Sequence, residues 1–259
     1  MSDLETVRYR RDDAVAVITI WRPDAMNSFN TVLRRDLLTA FRRAAQDDAV
    51  RVVVLTGEGR SFSAGADLKD IENPKPVSEI LQEEYRPILE CIATMRQPVI
   101  AAVGGSAAGI GMSFALACDL LVIADNAFLM SAFSNISLLP DGGLNWFLVR
   151  QLGYRRAYQL AIEAERIPAE RCVALGLANR AVPAEKLMDE TLAWAQALAQ
   201  RAPLSLAATK QAMRHALAHD WESTFDVEAP LQRKLRDSED CAEGVRAFFE
   251  KRKPGFKGR

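Results

Sequence analysis

The chain has 259 residues, 49% hydrophobic and 26% charged, which is enough to bury the core of one large domain. Its 33 Lys and Arg residues nearly balance its 34 Asp and Glu residues. This balance provides no long-range attraction toward nucleic acid or a membrane surface, so neither is expected as a partner. The N-terminus lacks the apolar core of a signal peptide, and no apolar run reaches about 18 residues, which predicts a cytoplasmic protein.

Strands and helices are predicted to alternate along the first 150 residues. Apolar runs rich in β-branched residues predict strands at residues 15–21, 50–56, 98–103 and 119–124. Apolar residues at helical spacing predict helices at residues 30–46, 80–95, 109–117 and 144–152. This alternation indicates an α/β domain in which helices cover a sheet. The strands recur at loosely similar intervals, which is compatible with a stacked spiral.

The C-terminal part has a different pattern. Helical periodicity dominates residues 186–201, 204–219, 221–235 and 241–251. We therefore divide the chain into an α/β core, residues 1–195, and a helical region, residues 196–259.

Metal and redox chemistry have little support in the sequence. His215 and His219 are the only histidines, one helical turn apart, and no third ligand accompanies them. A solvated helix face is the alternative interpretation of the pair, and a Ser-His-Asp mechanism is disfavoured. The four cysteines form no CxxC pair and predict free thiols. No metal site and no redox cofactor are expected.

Two segments of small residues follow predicted strands. The first, GEGRSFSAGADL at residues 57–68, lacks the order of a P-loop, and its small side chains let a ligand approach the backbone. The second, GGSAAGIGM at residues 104–112, opens a helix whose free N–H groups favour negative charge. The alternatives are a glycine-rich turn for the first and tight packing of small residues for the second.

A third segment, LPDGG at residues 139–143, precedes the predicted helix at residues 144–152. Asp141 can be the N-cap of that helix or a turn residue, since Pro-Asp-Gly-Gly strongly favours a turn. The functional alternative is a carboxylate that points into a pocket and acts as a general base.

Together, GRSFSAGADL, AAVGGSAAGIGMSFALACDL and NISLLPDGG resemble the enoyl-CoA hydratase/isomerase (crotonase) superfamily, and the similarity extends from RPDAMNSFN to AFFEKRKPGF. The nearest similarity is to the branch that includes the phenylacetyl-CoA pathway isomerases. The resemblance implies a crotonase-like spiral of ββα units and a C-terminal helical trimerisation region. It also implies an acyl-CoA thioester substrate and a homotrimer or hexamer. Coenzyme A is part of the substrate, so no separate cofactor is expected.

In this family two backbone N–H groups hold the thioester oxygen, and the matching residues here are Ala66 and Ile110. Such donors each stabilise the charge of the transition state by roughly 2.7–4 kcal/mol. Family hydratases carry two glutamates that handle water, but Ser113 and Phe133 stand at these positions. Asp141 matches the single base of the isomerase-type members, and burial in an apolar site would raise its pKa.

The resemblance also assigns residues that bind CoA: Ala25, Met26, Ala64, Ala66, Asp67, Leu68, Lys69, Phe248 and Lys251. Phe248 and Lys251 match positions that reach the CoA site of a neighbouring subunit. Ordinary surface charge is the alternative for Lys69 and Lys251. Asp67 is better interpreted as a residue that orders its loop than as a catalyst.

Three functions are compatible with these residues. The favoured one is an isomerase that shifts the C=C bond of an enoyl-CoA, with Asp141 as acid and base. The others are a hydratase that uses an unusually held water, and a non-catalytic protein that binds CoA esters. Walls of the acyl pocket are predicted from residues 73–85 and from four aromatic side chains, with aromatic core as the alternative: Phe114, Phe133, Trp146 and Phe147.

Overall fold

The protein, seen in a computed structural model that describes residues 4–72 and 74–259, is built on two sheets. In this part of the chain the strands are Val7–Asp12 (β1), Val15–Ile20 (β2), Val52–Gly57 (β3), Ser61–Ser63 (β4), Val99–Val103 (β5), Ser106–Ala108 (β6), Leu120–Ala124 (β7), Phe128–Met130 (β8), Ile167–Pro168 (β9) and Arg180–Val182 (β10). The larger sheet has the order β1-β2-β3-β5-β7-β10, and the smaller has the order β4-β6-β8-β9. All neighbours pair in parallel except β1 with β2 and β8 with β9.

Helices fill the connections and the C-terminal part. They are Thr31–Gln46 (α1), Val77–Ile80 (α2), Arg86–Thr94 (α3), Ile110–Ala117 (α4), Leu144–Leu152 (α5), Tyr154–Glu163 (α6), Ala169–Ala174 (α7), Leu187–Ala199 (α8), Pro203–Ala216 (α9), Trp221–Arg236 (α10) and Glu239–Phe249 (α11). Short 3-10 turns lie at Pro23–Ala25, Leu68–Glu72, Phe133–Ile136 and Ala184–Lys186. No helix of the described residues is long and apolar enough to cross a membrane.

The chain repeats one unit three times. Each of β3, β5 and β7 in the larger sheet leads directly into a strand of the smaller sheet, and helices follow. These stacked ββα units form the predicted spiral. The strands β4, β6 and β8 were not predicted, because three residues are too few to show alternation. The edge strand β1 was not predicted either, because its sequence, VRYRRD, is mostly charged.

The corner between β5 and β6 requires glycine. Gly105 has a φ of +86°, and a Cβ at this position would collide with the carbonyl group of Arg60 in the preceding unit. The backbone at Gly105 therefore packs directly on the backbone of the turn before β4. This contact fixes the position of the loop after β6 relative to the loop after β4.

The helix α1 confirms the prediction made for residues 30–46. The Asn30 side chain caps it by accepting from Leu33 N at 2.9 Å. Leu33, Leu37 and Phe41 recur at helical spacing and are fully buried against the sheet.

The predicted single helix at residues 80–95 is wrong in one respect. A π-helical turn, Leu81–Tyr85, separates α2 from α3. Pro87 lies in the first turn of α3, where it lacks the N–H that would continue a regular ladder back to residue 83. The interruption changes the direction in which Leu81 and Tyr85 project.

The predicted boundary at residue 195 falls inside α8. This helix packs across β3 and β5, with Ala195 and Ala199 buried. The helices that follow begin with α9, where Pro203 occupies the first turn. The division into a core and a helical region stays a prediction.

Candidate active site

The loop after β4 holds Ala66 in a bridge with Phe29. Phe29 N donates to Gly65 O at 2.8 Å, and Asp67 N donates to Phe29 O at 2.9 Å. In a parallel bridge of this kind the N–H of the central residue points away from its partner strand. Ala66 is solvent-exposed, and its N–H has no acceptor within residues 4–72 and 74–259. The N–H of Ala66 is therefore available to a ligand.

A second backbone N–H lies at the start of α4. Ile110 is the first residue of this helix, so its N–H has no intrahelical acceptor. Gly109 precedes it with a φ of +54° and no side-chain cap. No other acceptor for the N–H of Ile110 exists in the described part of the chain.

The two segments that carry these N–H groups pack against each other. Gly65 has a φ of +104°, and a Cβ built there would lie 3.0 Å from Ala108 O and 3.7 Å from Gly109 Cα. Such close contact between backbones requires glycine at position 65. The smaller sheet, which pairs β4 with β6, thus brings the 65–66 and 109–110 segments together.

Asp141 lies in the turn before α5, and its side chain is not a helix cap. Gly143 occupies the N-cap position of α5, without a side-chain hydrogen bond. The backbone carbonyl of Asp141 accepts from Leu144 N at 3.1 Å and from Ser113 Oγ at 2.9 Å. Its Oδ1 atom is buried and has no hydrogen-bond donor among the described residues. The prediction that Asp141 is the N-cap of this helix is therefore wrong. The alternative prediction, that Asp141 lies in a turn, is confirmed for its backbone.

Burial raises the pKa of the Asp141 carboxyl to about 6. A carboxyl group with this pKa is ionised at neutral pH and still exchanges its proton readily, which suits a general base that must return the proton. The unpaired oxygen and the raised pKa distinguish Asp141 from the other site carboxylate, Asp67.

Gly142 connects the Asp141 turn to α4. A Cβ at this position would contact the Cδ1 of Ile110 and lie 3.0 Å from the Cβ of Ser113. The turn that holds the carboxylate thus packs directly on the first turn of α4, which carries the free N–H of Ile110.

This packing makes Gly142→Ala a test of the geometry. Gly142 has a φ of +61°, so the added methyl group meets both backbone strain and a clash. We expect kcat to fall by about 100-fold, because a displacement of about 1 Å at a catalytic group can have this effect. Gly153→Ala is the control: its φ is +74°, but no atom lies within 4 Å of the added Cβ. Equal losses of kcat in both variants would show that strain, and not this contact, is responsible.

The two positions of the family's glutamates lie beside these segments. Ser113 contacts the Asp141 turn, as described above. Phe133 is 7% exposed, and the tip of its ring lies 3.9 Å from a Cβ built on Gly109. A hydroxyl group and an aromatic ring therefore occupy the places where two carboxylates would hold water.

The residues predicted to bind CoA form two neighbouring turns. Ala64 N donates to Met26 O at 2.9 Å, which joins the turn of Ala25 and Met26 to the 64–69 loop. Leu68 is 60% exposed although it is apolar, and Lys69 is exposed beside it. The 64–69 loop therefore exposes both the backbone N–H of Ala66 and the apolar side chain of Leu68 to a ligand.

Asp67 orders this loop, as its sequence context predicted. Its carboxylate pairs with Arg22 Nη2 at 2.9 Å and accepts from Lys69 N at 3.2 Å. Partial burial opposes ionisation, but these hydrogen bonds prevail and hold the pKa of Asp67 below its usual value. Arg22 was not predicted as part of the site, because its partner Asp67 lies 45 residues away and no local sequence pattern connects the two.

Phe248 and Lys251 belong to the C-terminal end of the chain and not to this loop. They are at the end of α11, where Phe248 is 78% exposed and Lys251 N donates to Phe248 O. Lys251 forms no ion pair with any residue that the structure describes. Their contribution to the CoA site of a neighbouring subunit stays a prediction.

The predicted aromatic walls divide into two groups. Phe114 is fully buried and packs on Phe29 with ring centroids 4.6 Å apart, so it belongs to the core. Tyr85, Trp146 and Phe147 instead line a groove of about 550 Å³ beside Gly142 and Gly143. Burial raises the pKa of Tyr85 to about 12, and the nearby charge of Asp141 contributes to the shift. Asn73, the first residue of the predicted wall, lies outside the described residues.

These features define a class: a ββα spiral in which two backbone amides without acceptors lie close to a buried carboxylate. A profile of the enoyl-CoA hydratase/isomerase family matches residues 10–259. The chain belongs to this family.

Individual relatives cover nearly the whole chain. A Rhodobacter capsulatus protein named "Probable enoyl-CoA hydratase" is 42% identical over 98% of both sequences. The 1,2-epoxyphenylacetyl-CoA isomerase of Escherichia coli is 34% identical, over 99% of this chain and 100% of its own length. The crystal structure of an enoyl-CoA hydratase from Polaromonas sp. JS666 superposes with a TM-score of 0.92 at 32% identity, over 96% of this chain and 99% of that one.

Proposed function

We propose that this protein is an enoyl-CoA isomerase that moves a C=C bond with a single carboxylate. The proposal depends on the Oδ1 atom of Asp141, which is buried and has no hydrogen-bond donor among the described residues. In the same site, Ser113 and Phe133 replace the two glutamates that handle water in the family's hydratases. A buried base without a carboxylate at either of the two water-handling positions is suited to proton transfer rather than to water addition.

In the proposed reaction the thioester oxygen of a 3-enoyl-CoA accepts hydrogen bonds from the N–H groups of Ala66 and Ile110. Asp141 removes a proton from carbon 2, and the electron pair of the broken C–H bond is delocalised onto the thioester oxygen as a dienolate. The amides stabilise this charge because they are already aimed at it. Asp141 then returns the proton to carbon 4, and the double bond forms between carbons 2 and 3.

CoA is proposed to lie along the Ala25–Met26 turn and the 64–69 loop, with Phe248 and Lys251 supplied by a neighbouring subunit of a trimer or hexamer. The exposed ring of Phe248 and the exposed apolar side chain of Leu68 support an intersubunit contact of this kind. The proton that Asp141 removes is returned to the substrate, and the electron pair never leaves it, so the reaction requires no cofactor beyond the CoA of the ester itself. A cytoplasmic location also stays part of the proposal.

Absorbance of the conjugated thioester tests the proposal. With a 3-enoyl-CoA, we expect absorbance to rise as the 2-enoyl ester forms. With a 2-enoyl-CoA, we expect no loss of absorbance through water addition. Measurable binding without a change for either ester would favour a non-catalytic protein that binds CoA esters.

A hydratase is the second candidate, and the name of the R. capsulatus relative favours it. Ser113→Glu restores one carboxylate in this context, but Phe133 still occupies the second position. We expect the variant to add water to a 2-enoyl-CoA no faster than the parent protein. Rapid hydration by this variant, measured as loss of the conjugated absorbance, would contradict the proposal that Phe133 excludes water from the site.

The pH dependence of the isomerase follows from Asp141. The base must be ionised, and the pKa of its carboxyl is about 6. The value of kcat/KM should therefore be level above pH 7 and fall tenfold per unit well below pH 6. An acid limb near pH 4 instead would indicate a base with an ordinary carboxyl pKa.

A further inference from the structure

Ser63, the last residue of β4, lies between the two segments that carry the free amides. Its side chain is fully buried, and a Cβ built on Gly111 would lie 2.8 Å from the Cβ of Ser63 and 3.0 Å from its Oγ. Gly111 follows Ile110 in the first turn of α4, and the 64–69 loop begins directly after Ser63. Ser63 therefore packs against the first turn of α4 and leads into the loop that contains Ala66.

The hydroxyl group of Ser63 makes two hydrogen bonds, one as donor and one as acceptor. It donates to Asn27 O at 2.8 Å and accepts from Gly65 N at 3.2 Å. Because a hydroxyl group has only one hydrogen, the bond to Asn27 fixes its rotation and leaves the lone pairs for Gly65. Asn27 is itself fully buried: its Nδ2 donates to Glu58 O at 2.8 Å, and its Oδ1 accepts from Arg22 N at 2.9 Å. The position of the Ser63 hydroxyl group is therefore fixed by a partner that is also held in place.

Gly65 is the residue whose conformational freedom this hydrogen bond reduces. It has no side chain and a φ of +104°, so the peptide planes on either side of it can rotate unless other contacts hold them. The plane after Gly65 carries the N–H of Ala66, and its oxygen accepts from Phe29 N at 2.8 Å. In the plane before it, Gly65 N donates to Ser63 Oγ and to no other acceptor in the described chain. The direction of the Ala66 N–H therefore depends on both contacts.

We propose that Ser63 is a positioning residue, whose hydroxyl group directs the N–H of Ala66 toward the thioester oxygen and keeps it close to the N–H of Ile110. The inference rests on the proposed function, because it takes these two amides as the donors to that oxygen. Ser63 acts through Gly65 and does not contact the substrate, since it is fully buried. Without the hydroxyl group, Gly65 N loses its acceptor, and the loop should rearrange to satisfy this N–H. The N–H of Ala66 then no longer points steadily at the oxygen.

Ser63→Ala and Ser61→Ala form a matched pair of variants. Ser61 is in the same strand and is 1% exposed, but its Oγ donates to Ser106 O at 3.0 Å and makes no contact with the Ala66 loop. Each substitution removes one buried, hydrogen-bonded hydroxyl group, so thermal unfolding should show a similar loss of stability in both. Only Ser63→Ala should reduce kcat for the double-bond shift, by about 10- to 100-fold, which is less than the loss of an entire oxyanion donor.

Binding affinity separates a positioning role from a general loss of structure. The dissociation constant of a saturated acyl-CoA, measured by calorimetry, should change by less than about threefold in both variants. The direction of the donor matters most for the charge that develops in the transition state, so the effect should fall on kcat and not on ground-state binding.

The carbonyl stretching band of a bound ester reports the direction of the donors without requiring turnover. The probe is butanoyl-CoA labelled with carbon-13 at the thioester carbonyl, measured by isotope-edited infrared spectroscopy. Hydrogen bonds to the oxygen weaken the C=O bond, so binding to the parent protein should lower the frequency of the band. In Ser63→Ala the band of the bound ester should move back toward its position in free solution, whereas in Ser61→Ala it should stay where it is in the parent protein.

Gly111→Ala tests the same contact from the side of α4. The added methyl group would lie 2.8 Å from both the Cβ and the backbone oxygen of Ser63. The φ of Gly111 is not in the left-handed region, so the variant introduces the contact without backbone strain of that kind. We expect kcat to fall and the carbonyl band to move in the same direction as in Ser63→Ala.

The outcomes distinguish this inference from the proposed function. An unshifted band or an unchanged kcat in Ser63→Ala, or equal changes in Ser61→Ala, would overturn the role of Ser63. If the band responds as expected but the parent protein shifts no double bond, the isomerase alone is contradicted. If binding to the parent protein does not lower the frequency of the band, the two amides are not the donors, and the inference fails with them.

Discussion

Asp141→Asn should lower kcat for the double-bond shift at least about 100-fold, because loss of a general base typically removes a factor of 10² to 10⁴. The amide has nearly the same shape but cannot accept the proton from carbon 2. The affinity for a saturated acyl-CoA should change little, since Asp141 is not among the residues proposed to hold CoA. Steady-state kinetics and calorimetry on the same preparation measure both quantities.

The same substitution should make the protein more stable above pH 7. The pKa of Asp141 is raised from 3.8 to about 6 in the folded state, so folding favours the protonated form. That contribution is present at low pH and is lost as pH rises through about 6, which corresponds to at most about 3 kcal/mol. Asparagine has no charge to bury, so thermal unfolding at pH 8 should occur at a higher temperature. Lost activity with raised stability excludes unfolding as the cause.

Two other carboxylates serve as controls for Asp141. Asp226→Asn, on the exposed face of α10, should alter neither kcat nor stability. Asp67→Asn should destabilise the fold, since the ion pair of Asp67 with Arg22 holds its pKa low. Full activity of Asp141→Asn on the true substrate would assign the base to another residue.

Ala66→Pro should reduce kcat by about 100- to 1000-fold, the usual loss when one oxyanion donor is removed. Proline has no N–H, and Ala66 N makes no hydrogen bond within the described chain, so the substitution removes no internal bond. Because the donor acts on charge that develops in the transition state, kcat and kcat/KM should fall together.

Ala66→Ser is the matched variant, since it changes the side chain at this exposed site and keeps the N–H. We expect it to retain activity within about threefold, and circular dichroism should show both variants folded. A serine variant as inactive as the proline variant would indicate that the side chain, and not the amide, is required at this position.

The larger sheet could be predicted from the sequence because its central strands are buried on both faces. Strands such as β3 and β5 appear as continuous apolar runs, which residue type alone identifies. The smaller sheet could not be predicted, because β4, β6 and β8 have only three residues each. Their pairing depends on the backbone contact between Gly105 and Arg60, which lie far apart in the sequence. The interruption before α3 could have been predicted from Pro87, because proline disfavours a continuous helix.

The residues of the candidate site could be predicted from sequence motifs, but not from the periodicity of apolar residues. Asp141, Ala66 and Ile110 were identified by resemblance to a family, whereas the packing of their segments through Gly65 and Gly142 is visible only in the folded structure. The ion pair of Arg22 with Asp67 was missed because its partners are 45 residues apart. Such a contact depends on how the turn after β2 meets the loop after β4, which no local pattern specifies.

In the proposed mechanism, one carboxylate carries a proton between two carbons of an enolate held by backbone amides. The most direct measurement uses a 3-enoyl-CoA with deuterium at carbon 2, in ordinary water, followed by NMR of the product. Part of the deuterium should appear at carbon 4, and Asp141→Asn should lower the rate at which the labelled product forms at least about 100-fold. Formation of the labelled product at an undiminished rate by Asp141→Asn would contradict this mechanism.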